Sequence, residues 1–266
     1  VVYVAYGVDH LDLTTVPAGT PVVVVHNDDR LQPTPGTTDV RGHGNVGFAA
    51  GANLGLAQVT TPRVVFCNPD TALAPEHWEA LLAGAPDEVV SVPMVDGDGR
   101  PASVVNAYPT PLALVLTGYR AGRLAARGSL GRTALQRLLG RWGSAHATSS
   151  GPGTRSLQEA WCSGALFSVD AERVRAVRGF DDGYFLYFED ADLCRRLARA
   201  FPAMTVRTAG TEPALHTVGG SAHDRRVVDR HFVDSAIRYA SSNRDGWRWR
   251  AARFALDVRA RWLGRR

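Results

Sequence analysis

Four apolar runs decide most of what this chain can become: "VVYVAY" (1–6), "PVVVVHND" (21–28), "RVVFCNPD" (63–70) and "EVVSVPMV" (88–95). Each is short, rich in β-branched residues and continuous rather than alternating, the pattern of a strand buried on both faces. Helix-like segments lie between them. "NVGFAAGANLGLAQV" (45–59) is rich in Gly and Ala and helical in its later part. Pro75 opens a second helix, with Glu76 in its first turn and Trp78, Leu81 and Leu82 facing inward. Strands alternating with helices predict an α/β domain with a mainly parallel sheet. Ligands of such sheets bind beyond the carboxyl ends of the strands, so the loops at Asn27–Asp28 and Asn68–Asp70 share one rim.

The second half is less regular. Residues 112–158 are rich in Leu and Arg and end in "GSAHATSSGPGTR", which reads as a mobile loop. "EAWCSGALFSVD" (159–170) returns to strand. "YFLYFEDADLCRR" (184–196) then sets an aromatic run against Glu189, Asp190 and Asp192. Asp is a good N-cap, and acids in a first turn suit the helix dipole. Leu193, Leu197 and Phe201 follow at helical spacing, so a helix beginning near Asp190 accounts for part of the pattern. Strand-like "MTVRT" and "ALHTVGGS" (214–221) come next. From about Asp229 the chain is helical, with Trp247, Ala251, Phe254, Val258 and Trp262 in one stripe flanked by arginines.

Composition narrows the class. With 45% hydrophobic and 21% charged residues, the chain is of ordinary globular make-up. No apolar run approaches the eighteen or so residues needed to span a bilayer. The chain opens on a strand without an initiator Met, as a trimmed fragment would, so its silence on targeting carries little weight. Three cysteines, Cys67, Cys162 and Cys194, lack metal-type spacing and do not form pairs, which fits a reducing cytoplasm. The net charge is +4, yet residues 100–158 hold eight arginines and no acid, and residues 244–266 hold eight arginines against Asp245 and Asp257. These two segments suit an anionic partner: nucleic acid, an anionic membrane or an anionic substrate.

Taken together, the motifs resemble the family-2 glycosyltransferases, the inverting sugar-nucleotide enzymes with a glycosyltransferase-A fold, and most of all their rhamnosyltransferase-like branch. Four stretches carry the resemblance in the family's order: "NVGFAAGANLG", "NPD" (68–70), "GALFSVDAERVRAVRGFDDGYFLYFEDADLCRR" and "LHTVGGS". It implies a Rossmann-like, mainly parallel sheet flanked by helices, with a catalytic domain over 1–222 and a basic amphipathic helical tail over 223–266. Within the domain, 1–95 would bind the nucleotide sugar, 112–158 would be an Arg-rich, partly mobile insertion, and 159–222 would form the acceptor and catalytic half. The resemblance places Tyr6, Asn27, Asp28, Asn45, Gly47, Asn53, Asn68 and Asp70 at the donor. It makes Asp70 and His216 ligands of a divalent cation, Mn²⁺ or Mg²⁺. It makes Asp190 the general base, with Glu189 orienting acceptor or base, and puts Trp161 and Gly164 beside them at the acceptor.

The chemistry explains those residue types. A leaving nucleoside diphosphate develops negative charge, which a cation held by carboxylate and imidazole neutralises. A sugar hydroxyl is a poor nucleophile and needs a carboxylate to take its proton. One base without a protein nucleophile implies a single displacement with inversion. The implied partners are a nucleoside-diphosphate sugar, such as dTDP-L-rhamnose, UDP-hexose or UDP-galactofuranose, and a glycan or polyprenyl-linked acceptor used in cell-envelope polysaccharide synthesis. The inner face of the cell membrane is a candidate surface for the Arg-flanked tail, and the other reading is that its stripe packs on the domain.

The bland readings are specific. Asn-Pro-Asp is a good turn, a lone His near a strand end is commonly structural, and Gly47 and Gly51 serve either close packing or approach to the diphosphate. Trp161 is an acceptor platform or a core aromatic. The family's second strand ends in Asp-Asn, whereas this chain has His26 before Asn27 and Asp28, so either Asp28 or Asn27 takes over the nucleobase contact, or that contact is altered, or the fold has lost activity. The segment between the first two strands is too short for the customary helix. A nucleotidyltransferase would carry a basic phosphate loop after the first strand, where "YGVDHLD" has no basic residue. A nucleic-acid-binding module fits poorly, since the Arg-rich segments lack aromatic residues interleaved on strands. No nucleic-acid partner is expected.

Overall fold

The computed structural model describes residues 1–118, 151–217, 225–242 and 246–264. Its strands are β1 (Val2–Ala5), β2 (Val23–His26), β3 (Thr38–Val40), β4 (Arg63–Cys67), β5 (Thr71–Ala72), β6 (Glu88–Ser91) and β7 (Met94–Val95). They continue as β8 (Pro101–Ala102), β9 (Val105–Ala107), β10 (Gly153–Ser156), β11 (Ala160–Cys162), β12 (Leu166–Asp170), β13 (Thr205–Thr208) and β14 (Ala214–His216). The helices are α1 (Gly47–Leu56), α2 (Pro75–Leu82), α3 (Pro111–Gly118), α4 (Ala171–Ala176), α5 (Glu189–Ala200), α6 (Arg225–Ser242) and α7 (Trp247–Gly264).

All four opening runs contribute a strand to one eight-stranded sheet, in the order β10-β13-β6-β12-β4-β1-β2-β3, but the fourth run is not one strand: it breaks after β6, and its end, β7, belongs to another sheet. In the eight-stranded sheet the β1–β2, β2–β3, β1–β4 and β6–β13 pairs are parallel, as the continuous Val-rich runs predict. β12 runs antiparallel to β4 and β6. That reversal matters for the site, because it brings the start of β12 to the carboxyl end of β4. A four-stranded sheet, β5-β14-β7-β8, stands beside this rim, and β9 pairs with β11.

The helices are held close by glycine. A Cβ on Gly51 would come within 2.8 Å of the Val4 side chain, and one on Gly55 within 2.3 Å of Val2. Gly47 has φ of 82°, and a Cβ there would lie 2.4 Å from the Phe185 carbonyl oxygen. Of the two readings of Gly47 and Gly51, the structure therefore displays close packing, and α1 starts already at Gly47 rather than in the later part of its segment. Phe48 N–H donates to the same Phe185 carbonyl at 2.8 Å. A cluster of Phe48, Phe66, Phe167 and Phe180, with Phe66 and Phe180 ring centres 5.1 Å apart, fills the space behind this junction.

Several expectations change in detail. On α2, Trp78 and Leu81 are buried but Leu82 is 42% exposed, because it falls off the inward face of a two-turn helix. The stretch 159–170 is not one strand: it breaks at Ser163–Ala165 into β11 and β12, which belong to different sheets. The expected mobile loop lies mainly in 119–150, outside the described residues, and its last part is ordered as β10, which pairs with β13. No helix separates β1 from β2, as the short connection predicts.

The segment expected as a tail is a wall of the same body. From α6, His231 stacks on Phe185 at 4.2 Å, Phe232 meets Phe188 at 5.1 Å, and Ser235 donates to the Leu186 carbonyl at 2.8 Å. Arg238 Nε donates to Asp181 at 2.9 Å. α7 then packs through Trp249, Ala252 and Leu256, with Trp249 6.2 Å from Tyr239. The aromatic stripe singled out in the sequence lies on its other face: Trp247 is 72% and Phe254 70% exposed.

Candidate active site

The acids of the "FEDAD" turn sit at the start of α5, where the backbone is unusual. Tyr187 and Phe188 have φ of 73° and 68°, two consecutive left-handed residues with side chains. That conformation is costly for bulky residues and persists only where surrounding contacts impose it. Here Phe185 is held by α1 and Leu186 by α6. Phe188 is the N-cap, and no side chain caps the helix, so the acids are not caps despite the favourable sequence.

Each acid is accounted for separately. Asp190 Oδ2 accepts the Gly164 N–H at 2.8 Å and Oδ1 accepts the Ala191 N–H at 2.8 Å. Asp192 is buried and pairs with Arg196 Nε at 2.7 Å, and Arg196 also donates to the carbonyls of Val177 and Gly179. It braces the preceding turn. Glu189 is 5% exposed, and its Oε2 is buried without a hydrogen-bond partner. Burial first, and the Asp190 charge second, push the Glu189 carboxyl well above the usual carboxylate range. Burial also raises Asp190, but the Gly164 and Ala191 N–H donors oppose the rise. The two N–H donors thus favour the ionised form at Asp190 relative to Glu189.

The donor-side residues meet at the same rim. Asn68 N–H donates to the Ala165 carbonyl at 2.8 Å, one residue from the Gly164 that holds Asp190. Pairing of His216 with Thr71 across β14 and β5 brings the imidazole back to "NPD". His216 Nε2 lies 3.3 Å from Asp70 Oδ1 and 3.4 Å from Asn68 Nδ2. Both Asp70 and His216 are partly open to solvent. One carboxylate oxygen and one imidazole nitrogen converging on a common point form a donor set that fits a divalent cation of hard to borderline character. Among the described residues no group of three or more His, Cys, Asp or Glu side chains could hold a metal, and Asp70 and His216 are a pair.

The remaining donor-loop residues are largely engaged in building the rim. Asn27 is buried and donates to the Gly47 carbonyl at 3.0 Å, while its Oδ1 has no partner. Asp28 accepts from Gly7 N–H at 2.6 Å, and Asn45 Oδ1 accepts from Gly47 N–H at 3.1 Å. Asn53 uses both amide ends on the Phe180 backbone, at 2.9 and 2.8 Å, and so joins α1 to the "GFDD" turn. Tyr6 lies just past β1, half-buried. His26 has a partner that the sequence did not signal. Its Nε2 meets Asp39 Oδ1 of β3 at 2.5 Å, and Arg41 lies 3.1 Å from Nδ1. The strands bring Asp39 beside His26, although thirteen positions separate them.

Next to Glu189 and Asp190 opens a cavity of about 350 Å³. Trp161 lines it from β11, Asn106 from β9, Leu114 from α3 and Phe232 from α6, with Tyr187 and Ser163 at its edges. Trp161 is thus at the cavity, and its indole N–H is satisfied by the Ala107 carbonyl at 3.0 Å, which leaves ring surface as its contribution. Asn106, Tyr187 and Phe232 were invisible as site residues in the sequence. Their segments carry no local motif, and only the folding of α3 and α6 over the sheet gathers them.

The fold is of the glycosyltransferase-A type, a large, mostly parallel sheet flanked by helices with an acidic rim. Two solved structures share it across nearly the whole chain. The mannosyltransferase PcManGT from Pyrobaculum calidifontis, in complex with GDP-Man and Mn²⁺, matches with a TM-score of 0.50 and 14% identity over 99% of this chain and 72% of that one. GalNAc-T7 with UDP, GalNAc and Mn²⁺ matches with a TM-score of 0.51 and 10% identity over 97% of this chain and 54% of that one. In sequence, the chain is 35% identical over 88 residues to rhamnosyltransferase WbbL of Escherichia coli (strain K12). That match covers 32% of this chain and spans 31% of the relative's length. No protein-family model matches the chain.

The buried acid pair has a consequence for stability. With Glu189 raised, the folded state holds a proton that the unfolded chain releases above about pH 4. Its contribution to stability is complete below that pH and is lost as pH rises through the folded-state value. Glu189→Gln removes this cost. Its stability advantage should be small near pH 4 and grow by up to about 1.4 kcal/mol per pH unit above it. Chemical denaturation across this range checks the prediction; an advantage that shrinks with pH would show that Glu189 is ionised in the fold.

Proposed function

We propose that this chain is an inverting, cation-dependent glycosyltransferase that moves a sugar from a nucleoside diphosphate to a hydroxyl of a glycan or lipid-linked glycan. One observation carries the reading: Asp190, clasped by two backbone N–H groups, lines the cavity, and the loop that supplies its Gly164 N–H is bonded through Ala165 to Asn68, beside the Asp70–His216 pair. A base fixed in this way can take the proton of an acceptor hydroxyl as that oxygen attacks the sugar carbon from the cavity side. A divalent cation, Mn²⁺ or Mg²⁺, held by Asp70 and His216, would offset the negative charge that develops on the diphosphate. The Mn²⁺ in the PcManGT and GalNAc-T7 structures supports a cation, and their GDP-Man and UDP support a nucleotide-sugar donor. The partial likeness to WbbL favours a rhamnosyl donor such as dTDP-L-rhamnose over a UDP-hexose or UDP-galactofuranose, and a role in cell-envelope polysaccharide synthesis.

A panel of sugar nucleotides tests the reading, scored by metal-dependent hydrolysis and by transfer to glycan acceptors. Asp190→Asn should lower turnover about a hundredfold or more while donor affinity changes little, since the amide keeps the shape but not the basicity. Normal turnover by this variant would remove the base. Calorimetry of UDP or dTDP should show binding that a chelator weakens strongly; equal affinity with and without chelator would remove the cation from the site.

The same reading places the protein at an anionic membrane surface, with a lipid-linked acceptor presented to the cavity. No helix among the described residues is long and apolar enough to cross a membrane, so contact would be interfacial. The stripe of α7 supports it: Trp247, Phe254, Val258 and Trp262 are exposed, Arg248 and Arg259 lie over the Trp247 and Trp262 rings, and Arg250, Arg253 and Arg261 are exposed around them. α7 also packs on α3, which lines the cavity. Each Arg near such a surface contributes on the order of 1 kcal/mol, less at high salt. Because α7 also buries Leu256, substitution is a cleaner test than deletion. Trp247→Ser with Phe254→Ser should reduce binding to vesicles containing anionic lipid without changing hydrolysis of the free donor. Undiminished vesicle binding would end the membrane reading.

A further inference from the structure

Arg41 follows β3 at the carboxyl edge of the parallel strands β4, β1, β2 and β3. Along that edge come Asn68 and Asp70 after β4, Tyr6 after β1, Asn27 and Asp28 after β2, and Arg41 after β3. The register keeps the strand ends abreast, with Ala5 beside His26 and Val25 beside Val40. The polar groups next to Arg41 are already engaged. Asn27 is buried and donates to the Gly47 carbonyl, and Asp28 accepts from the Gly7 and Arg30 N–H groups. His26 is covered, with its Nε2 on Asp39 Oδ1 at 2.5 Å. Arg41 is exposed and yet anchored. Its Nη2 donates to the Leu31 carbonyl at 2.6 Å and lies 3.1 and 3.4 Å from the two ring nitrogens of His26. All three contacts fall on Nη2, which leaves Nη1 and Nε of the planar fork as donors for a ligand.

We propose that Arg41 reads the nucleobase of the donor and selects a keto base (uracil, thymine or guanine) over the amino bases cytosine and adenine, with His26 and Asp39 as its positioning residues. This rests on the nucleotide-sugar reading and narrows the donor class. Distance assigns Arg41 to the base rather than to the phosphates. Three strand spacings, about 14 Å, separate the end of β4 from the end of β3. A diphosphate at the Asp70–His216 pair is out of reach of Arg41, whereas a nucleoside laid along the rim brings its base there. Chemistry assigns the kind of base. A guanidinium only donates, so its complement is an acceptor. Thymine and uracil O4, and guanine O6 with N7, accept; cytosine N4 and adenine N6 carry hydrogens and would set N–H against N–H. Anchoring by the His26 ring, itself held by Asp39, and by Leu31 spares part of the ordering cost of a long side chain.

The test uses the full chain with Mn²⁺ and measures Kd by calorimetry for UDP, dTDP, GDP, CDP and ADP, and for inorganic diphosphate as the ligand without a base. The best keto nucleotide should bind at least about tenfold more tightly than CDP and ADP. Arg41→Ala should weaken that nucleotide about tenfold, move CDP and ADP by no more than about threefold, and leave inorganic diphosphate unchanged, so that selectivity collapses. Arg41→Lys keeps the charge without the fork and should lose most of the selectivity as well. Asp39→Ala frees the His26 ring; it should lower selectivity in the presence of Arg41 and add nothing to Arg41→Ala, whereas a merely structural role would lower all affinities alike. Denaturation curves confirm that each variant is folded. The proposal is overturned if the unmodified chain binds CDP or ADP as tightly as the keto nucleotides, or if selectivity survives Arg41→Ala. It is overturned too if that substitution weakens every nucleotide and inorganic diphosphate equally, which would make Arg41 a phosphate ligand. In each of these cases nucleotide binding stands, and the donor reading with it. If none of the five nucleotides binds, the proposal and the donor reading fall together.

Discussion

One hydrogen bond organises the rim: the Asn68 N–H to the carbonyl of Ala165, at the point where antiparallel β12 begins beside the end of β4. On one side of it the chain turns through Asp70 to the strand that His216 joins. On the other, Gly164 offers its N–H to Asp190. Were β12 parallel to β4, its first residues would lie at the opposite edge of the sheet, and no loop of this length would return Gly164 to the acids. The reversal of a single strand thus ties the loop that holds Asp190 to the strand end that carries Asn68 and Asp70.

The second constraint is steric. Gly47 allows the backbone of Phe185 to approach α1 closely, and Asn53 ties the same helix to Phe180. Between these two anchors the chain has little freedom, and it passes through left-handed Tyr187 and Phe188 before entering α5. α6 closes the outer side through His231, Phe232 and Ser235. The acids therefore sit on a turn gripped from two directions, which is what a base needs if its geometry is to survive burial. Residues that the family resemblance implied for the donor, Asn53 above all, contribute by holding this turn. Asn27 and Asn45 likewise bond to Gly47, so the donor-loop motif is first a packing motif.

Electrostatics divides the labour of Glu189 and Asp190. They are neighbours on one helix turn, but Asp190 has two N–H donors and Glu189 Oε2 has none. Burial raises both carboxyls, and hydrogen bonding lowers only one of them appreciably. The difference between them comes from those two N–H donors, Gly164 of the β11–β12 loop and the neighbouring Ala191. At the same rim, His26 is held by Asp39 and Arg41. A carboxylate thus reaches His26 from the neighbouring strand.

The sequence by itself determined the strands, the first helices and the identity of the acids. Buried β-branched runs and helical spacing are local signals, and motif order is preserved along the chain. It also foretold the α7 stripe, though not which face of that helix would be buried, because Trp249, Ala252 and Leu256 form a second apolar face that periodicity does not rank against the first. Only the tertiary structure decided which acid is favoured as a carboxylate, where Asp39 goes, and that Asn106, Tyr187 and Phe232 share a cavity. These outcomes depend on which backbone N–H or ring arrives from a distant segment. Burial and hydrogen bonding set the chemistry of a side chain, and both are properties of its neighbours in space.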